Sequence, residues 1–225
     1  MFYSLKSFSQ FKANQGALSP GGSAFADTTS LLYDGVDDRQ EGMSWSTLDA
    51  SPEFTISVWV KVNSLATNQS ILRGYETGTA VNLYINIRTN GQIEVWSGGS
   101  NSNWTRSVVG AIVVGQWYHI VMRLADASVN RYSRQKIFID GVYSNGGSNY
   151  YTGPIPNGTA WGIGANWNYS HPAYLYPING NINEVAIWGS NALTDAQILE
   201  VYNSGSANDL TALPTAPSPT NWWLL

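Results

Sequence analysis

Hydrophobic positions alternate with polar ones through the middle of the chain, at the period of two that marks strands covered on one face. In residues 53–62 (EFTISVWVKV), Phe54, Ile56, Val58, Val60 and Val62 share one face, and Thr55, Ser57, Trp59 and Lys61 share the other. Leu83, Ile85 and Ile87 repeat the pattern, Asn90-Gly91 follows, and Ile93 and Val95 resume it. Asn-Gly between alternating runs predicts a hairpin. Residues 117–124 (WYHIVMRL) place Ile120, Met122 and Leu124 on one face. Residues 136–142 (KIFIDGV) read as a strand entering an Asp140-Gly141 turn, and residues 182–188 (INEVAIW) as the last clear strand. One short helix is predicted near residues 194–203. Thr194 followed by Gln197 is a capping box, Leu193 and Ile198 form a hydrophobic staple, and Gly205 is a stop. Short strands separated by turns, with no long helices between them, predict an all-β fold: a two-sheet antiparallel sandwich with one short C-terminal helix.

Composition narrows the function. The chain has 225 residues, one large domain's worth, and 43% of them are apolar, enough for a substantial core. With 11 Lys and Arg, 15 Asp and Glu and a net charge of −4, a basic nucleic-acid-binding face is not expected. The absence of cysteine excludes disulfides and thiolate chemistry, and two histidines exclude a histidine-rich zinc site. No apolar run approaches the ~18 residues of a membrane helix. Residues 1–26 lack the apolar core of a signal peptide, which predicts a chain not exported by that route. Three zones are expected: an N-terminal arm over residues 1–30, a sandwich over residues 31–206, and a Pro-rich C-terminal arm over residues 207–225 ending in Trp222-Trp223-Leu224-Leu225.

Five segments in order resemble the laminin-G-like modules of the concanavalin A-like lectin/glucanase superfamily, a jelly-roll sandwich. They are LLYDGVDD (31–38), EFTISVWVKV (53–62), GQWYHIVMRL (115–124), KIFIDGVYSNGG (136–147) and residues 178–205. The ending also resembles phage structural proteins in which such a module precedes a Trp-Trp segment. The resemblance implies a non-enzymatic virion structural or adhesion protein. Neighbouring subunits or further copies of the chain would be its partners, with surface glycans as a further contact and Trp222, Trp223 and Leu224 as assembly anchors. The alternative is a bacterial carbohydrate-binding lectin module at the cell surface or outside the cell.

Candidate chemistry is sparse. The superfamily's glucanases need paired carboxylates on one strand, and Glu184 is the only carboxylate between Asp140 and Asp195. His119 lies in a strand, and no Gly-x-Ser-x-Gly elbow accompanies it. Asp34, Asp37 and Asp38 gather hard oxygen ligands at a tight turn, which suits calcium, while the plainer reading is a turn whose carboxylates bind its own amides. The resemblance completes such a calcium site with Asn183 and Glu184. Loops rich in Asn, Gly and aromatics offer glycan or protein contacts through Trp104, Tyr150, Tyr151, Trp167, Tyr169, Tyr174 and Tyr176, or simply cover the ends of the sandwich.

Overall fold

The computed structural model describes residues 30–43, 53–75, 81–97, 104–125, 135–144, 147–148, 160–168 and 171–225. Among them the strands in chain order are β1 (Leu31–Asp34), β2 (Gln40–Met43), β3 (Phe54–Val62), β4 (Gln69–Tyr75), β5 (Val81–Ile87), β6 (Ile93–Ser97), β7 (Trp104–Arg106) and β8 (Trp117–Leu124). There follow β9 (Gln135–Ile139), β10 (Val142–Tyr143), β11 (Gly147–Ser148), β12 (Ala160–Ile163), β13 (Asn166–Asn168), β14 (His171–Leu175) and β15 (Asn179–Gly189). Helix α1 (Asp195–Tyr202) and β16 (Asn221–Trp223) close the chain. Sheet one runs β1-β15-β3-β8-β9-β10, with β16 also paired to β15, and sheet two runs β11-β7-β6-β5-β4-β12-β2. Strands β13 and β14 form a small hairpin of their own. The all-β sandwich expected from the alternation is the fold observed.

The core lies between the sheets and is built from the predicted faces. Phe54, Ile56, Val58, Val60 and Val62 of β3 and Ile120, Met122 and Leu124 of β8 meet Leu83, Ile85 and Ile87 of β5 and Ile93 and Val95 of β6. A polar clip crosses this layer: Gln135 on β9 hydrogen-bonds the Ser97 hydroxyl and donates to the Val95 carbonyl at 3.1 Å. Gly74 is a packing necessity, because a Cβ there would sit 2.4 Å from the buried Trp161 ring. The Asp140-Gly141 turn forms with both residues at positive φ, 52° and 74°, as a two-residue hairpin turn requires. Helix α1 opens with the capping box read in the sequence: the Thr194 side chain accepts from the Gln197 amide, and Gln197 reaches back to the Thr194 amide. It ends at Asn203 in the left-handed conformation, two residues before the glycine. Among the described residues no helix is long and apolar enough to cross a membrane.

The outer face of sheet one carries a second apolar layer. Val121, Phe138, Ala186 and Trp188 point away from the main core and are covered by Leu193, Ile198 and Val201 around α1 and by Leu210 and Ala216 of the C-terminal segment. Trp188 Nε1 donates to the Pro217 carbonyl at 2.7 Å. Strand β16 pairs with β15 from Val185–Trp223 to Ile187–Asn221, so Trp222 joins this outer layer while Trp223 and the buried Leu225 join the main core. The C-terminal segment is therefore part of the sandwich. The apolar surface that marked Trp222 and Trp223 as subunit anchors is taken up within the chain; Leu224 beside them is half-buried. Residues 1–29 of the expected N-terminal arm lie outside the described residues.

Candidate functional site

Helix α1 and the C-terminal segment close the outer face of sheet one. The outer face of sheet two is built differently, from polar and aromatic side chains of which Asn86, Glu94 and Trp96 are each 8% exposed. Alternation turns Leu83, Ile85, Ile87, Ile93 and Val95 into the core, so Tyr84, Asn86, Glu94 and Trp96 must point outward. The register then lines up residues distant in sequence. Gly162, Arg73, Tyr84, Trp96 and Trp104 face one another in turn across β12, β4, β5, β6 and β7. Ser70, Asn86, Glu94 and Arg106 form the adjacent row.

These rows are tightly ordered. The Tyr84 and Trp96 rings stack with centroids 5.6 Å apart and 12° between planes. The Arg73 guanidinium lies 5.7 Å from the Tyr84 centroid, and that of Arg106 lies 3.8 Å from Trp104. Glu94 organises the second row. Its carboxylate accepts from Tyr84 Oη at 3.0 Å, Arg88 Nη1 at 2.6 Å and Arg106 Nε at 2.5 Å. Charge-assisted bonds of this length are the strong ones, and they hold both guanidinium planes in place. Burial, reinforced by the charge of Glu94 and the bond to it, pushes the Tyr84 hydroxyl well above its ordinary range, so it remains a protonated donor. Two polar atoms of the second row, Asn86 Oδ1 and Ser70 Oγ, are buried with no hydrogen-bond partner. Such atoms normally find a partner in protein, water or ligand.

Chemically, the described side chains of this face offer hydrogen bonds and aromatic surface for binding. Among its described side chains Glu94 is the single carboxylate, and two arginines hold it as an acceptor. Guanidinium groups held by Glu94 and the indole of Trp104 suit a flat polyhydroxylated ligand.

Of the aromatic residues read from the loops, Trp104 belongs to this face, half-buried on β7. Tyr176 is 40% exposed at the end of β14 with φ 63°, and its carbonyl accepts from the Ser70 amide at 2.8 Å. Trp167 and Tyr174 lie on the paired strands β13 and β14, and their side chains are outside the described residues, as are Tyr150, Tyr151 and Tyr169 altogether. The loops did not point to Arg73, Tyr84, Glu94, Trp96 and Arg106. Their signal was the polar half of each alternating strand.

The calcium set divides in two. Oxygens of Asp34, Asp37 and Asp38 lie within 4.8 Å of one another. Two of these carboxylates close their own turn: Asp34 Oδ1 accepts from the Val36 amide at 2.8 Å and Asp38 Oδ2 from the Asp34 amide at 3.0 Å. Asn183 and Glu184 do not join them, contrary to expectation. In the antiparallel pairing of β1 with β15, Asp34 faces Asn179 and Leu31 faces Ile182. Asn183 is four residues further along, about 13 Å at the strand rise. Its Oδ1 accepts from the amides of Glu184 and Leu225 instead.

His119 is structural. Its Nε2 lies 2.6 Å from Ser57 Oγ, but Asp140 Oδ1 accepts from the His119 backbone amide and leaves Nδ1 unpartnered. The ring is wholly buried against Trp59 and Tyr202, and burial holds its pKa down to about 3, so it is neutral.

A laminin-G-type family described as the concanavalin A-like lectin/glucanases superfamily matches residues 34–199. The chain is similar in structure to a native heptameric SAP-like pentraxin from Limulus polyphemus, with 16% identity, 87% of this chain and 91% of that one covered, and a TM-score of 0.61. It is similar to the CBM40 of Ruminococcus gnavus IT-sialidase bound to α2,3-sialyllactose, with 16% identity, 78% and 97% covered, and a TM-score of 0.59. It is also similar to domain 4 of AbnA, an extracellular GH43 arabinanase from Geobacillus stearothermophilus, in complex with arabinotriose, with 25% identity, 81% and 82% covered, and a TM-score of 0.53. No curated protein matches the chain in sequence.

Proposed function

We propose that this chain, which belongs to the concanavalin A-like lectin/glucanases superfamily, is a non-catalytic carbohydrate-binding module that holds its glycan on the outer face of sheet two. One observation carries the reading. Of the two outer faces, one is closed by the chain's own apolar segments. The other presents an ordered row of Arg73, Tyr84, Trp96 and Trp104 beside Arg106 and Glu94. Two structural relatives, described as complexes with sialyllactose and arabinotriose, support the same class of ligand. Arginine forks bind vicinal hydroxyls or a carboxylate in two parallel bonds, and the indole of Trp104 offers apolar surface to the sugar's C–H groups. The virion setting read from the sequence draws no support from the C-terminal Trp-Trp segment, since both indoles pack on their own sandwich. A glycan-binding surface is compatible with a virion, a cell-surface or an extracellular location.

An array of immobilised oligosaccharides, probed with the full chain, tests the proposal. The expected result is reproducible binding to a restricted set of glycans, weakened by Trp104→Ala about tenfold, roughly the 1.4 kcal/mol of one aromatic contact. Arg106→Lys keeps the charge but loses the fork, and should weaken binding as well. A folded chain that binds no glycan, or that binds equally well with both substitutions, would remove this face as the site.

A further inference from the structure

The charges on the outer face of sheet two do not balance. Its described side chains carry three guanidinium groups, those of Arg73, Arg88 and Arg106, against the single carboxylate of Glu94, an excess of two positive charges. The chain as a whole has a net charge of −4, so the excess is local. At physiological salt, charges are screened over about 8 Å, and a ligand on this face responds to the local excess more than to the total.

Depth sharpens the imbalance. The Glu94 side chain is 10% exposed, and those of Arg88 and Arg106 are 33% and 28% exposed. The negative charge is sheltered, and the positive charges are the ones solvent reaches. Both arginines meet the same oxygen, Glu94 Oε2, Arg88 through Nη1 at 2.6 Å and Arg106 through Nε at 2.5 Å. The two guanidinium groups therefore flank one point. Each keeps a two-nitrogen edge clear of that oxygen, Nε and Nη2 in Arg88, Nη1 and Nη2 in Arg106. Two parallel N–H groups on one edge are what a carboxylate takes in its bidentate pairing with arginine. Arg106 is also braced against Trp104, 3.8 Å from the ring centroid. Groups held in place this way lose little conformational entropy when a ligand arrives.

We infer that the glycan this face takes is acidic, a uronic or sialic acid whose carboxylate meets the remaining edges of Arg88 and Arg106. The inference rests on the glycan reading above and adds the class of sugar. A neutral sugar would use the arginines only as donors to hydroxyls and leave the positive excess as it is. A carboxylate takes the same donors in charge-assisted bonds, roughly twice as strong as neutral ones, and lowers the excess as it binds.

Titration calorimetry of the full chain tests this with two matched pairs of probes: trigalacturonate beside its methyl ester, and sialylated lactose beside lactose. The first pair presents a uronic acid and the second a sialic acid. In one pair or both, the acid should bind at least about tenfold more tightly than its neutral counterpart at about 50 mM salt. The advantage should shrink toward about 500 mM salt as screening grows. Arg88→Gln should bring the acid to within about threefold of its counterpart. Lys61→Gln removes a positive charge from β3 in sheet one and should leave the advantage intact. Circular dichroism reports the fold of both variants. Neutral probes bound as tightly as the acids would overturn the inference and leave the glycan reading standing. So would acids that go unbound while the chain binds neutral oligosaccharides on the array. A chain that binds no glycan of either kind removes the reading and the inference together. An acid preference that survives Arg88→Gln undiminished in folded protein would overturn its assignment to these arginines.

Discussion

A chain ending at residue 206 should lose cooperative folding, or retain only a small part of its stability. The segment it would lack is stitched into the sandwich from both sides. Leu210, Ala216 and Leu225 are each under 8% exposed. Thr220 N donates to the Ile187 carbonyl at 2.7 Å, and β16 extends sheet one along β15. Glu200 on α1 accepts from the Thr215 and Ala216 amides at 3.0 Å each. Truncation also leaves Trp188 Nε1 without the Pro217 carbonyl and uncovers the outer layer on β8, β9 and β15. Fully burying one large aliphatic side chain stabilises by roughly 1.5–3 kcal/mol. The whole loss is then about 5 kcal/mol or more, as large as the total stability of many domains. Urea unfolding followed by tryptophan fluorescence checks this. A truncated chain that unfolds at nearly the full-length midpoint would mean that the segment is a dispensable arm.

Replacing Glu184 by glutamine should stabilise the domain at neutral and mildly alkaline pH and have little effect below about pH 4.5. Glu184 sits where the β15–β3 register shifts, with φ 48° and 5% exposure. Burial pushes its carboxyl up to about 8 from an ordinary 4.5. A carboxyl raised in the folded state makes folding take up a proton. Its contribution is fully present below the unfolded pKa and is lost as pH rises through the folded one. Wild-type stability should therefore decline between about pH 4.5 and 8, by up to roughly 4 kcal/mol at one pKa unit per 1.36 kcal/mol. The glutamine variant, neutral throughout, should not show this decline. Parallel melts of the two proteins from pH 4 to 9 give the answer, and curves that keep a constant separation would show that Glu184 titrates normally.

The fold was legible where local rules decide it. Alternation in β3 and β8, Asn-Gly between β5 and β6, and the Thr194–Gln197 box each act over a few residues, and each forms as read. The candidate site was legible only in Trp104. Arg73, Tyr84, Trp96 and Trp104 become neighbours through strand order and register across sheet two, which no single segment encodes. Register likewise separates Asn183 from Asp34, although their strands are adjacent. The place of the C-terminal segment was not legible for a related reason: its Pro-rich composition describes an extended chain and does not say where that chain lies. A signal was present in β15, where Val185, Ala186, Ile187 and Trp188 are apolar without alternation. A strand apolar on both faces needs cover on both faces, and the C-terminal segment provides part of it.

The central claim, that a glycan binds across the outer face of sheet two, is tested most directly by the indole signals of the ten tryptophans. In a nitrogen–proton correlation spectrum, titration with the best oligosaccharide from the array should shift the Trp96 and Trp104 indole N–H resonances, assigned by substitution. Trp188 and Trp222, packed in the outer layer of sheet one, should stay still. A saturable titration that leaves Trp96 and Trp104 unmoved and shifts other indoles instead would contradict the account and put the sugar elsewhere on the sandwich.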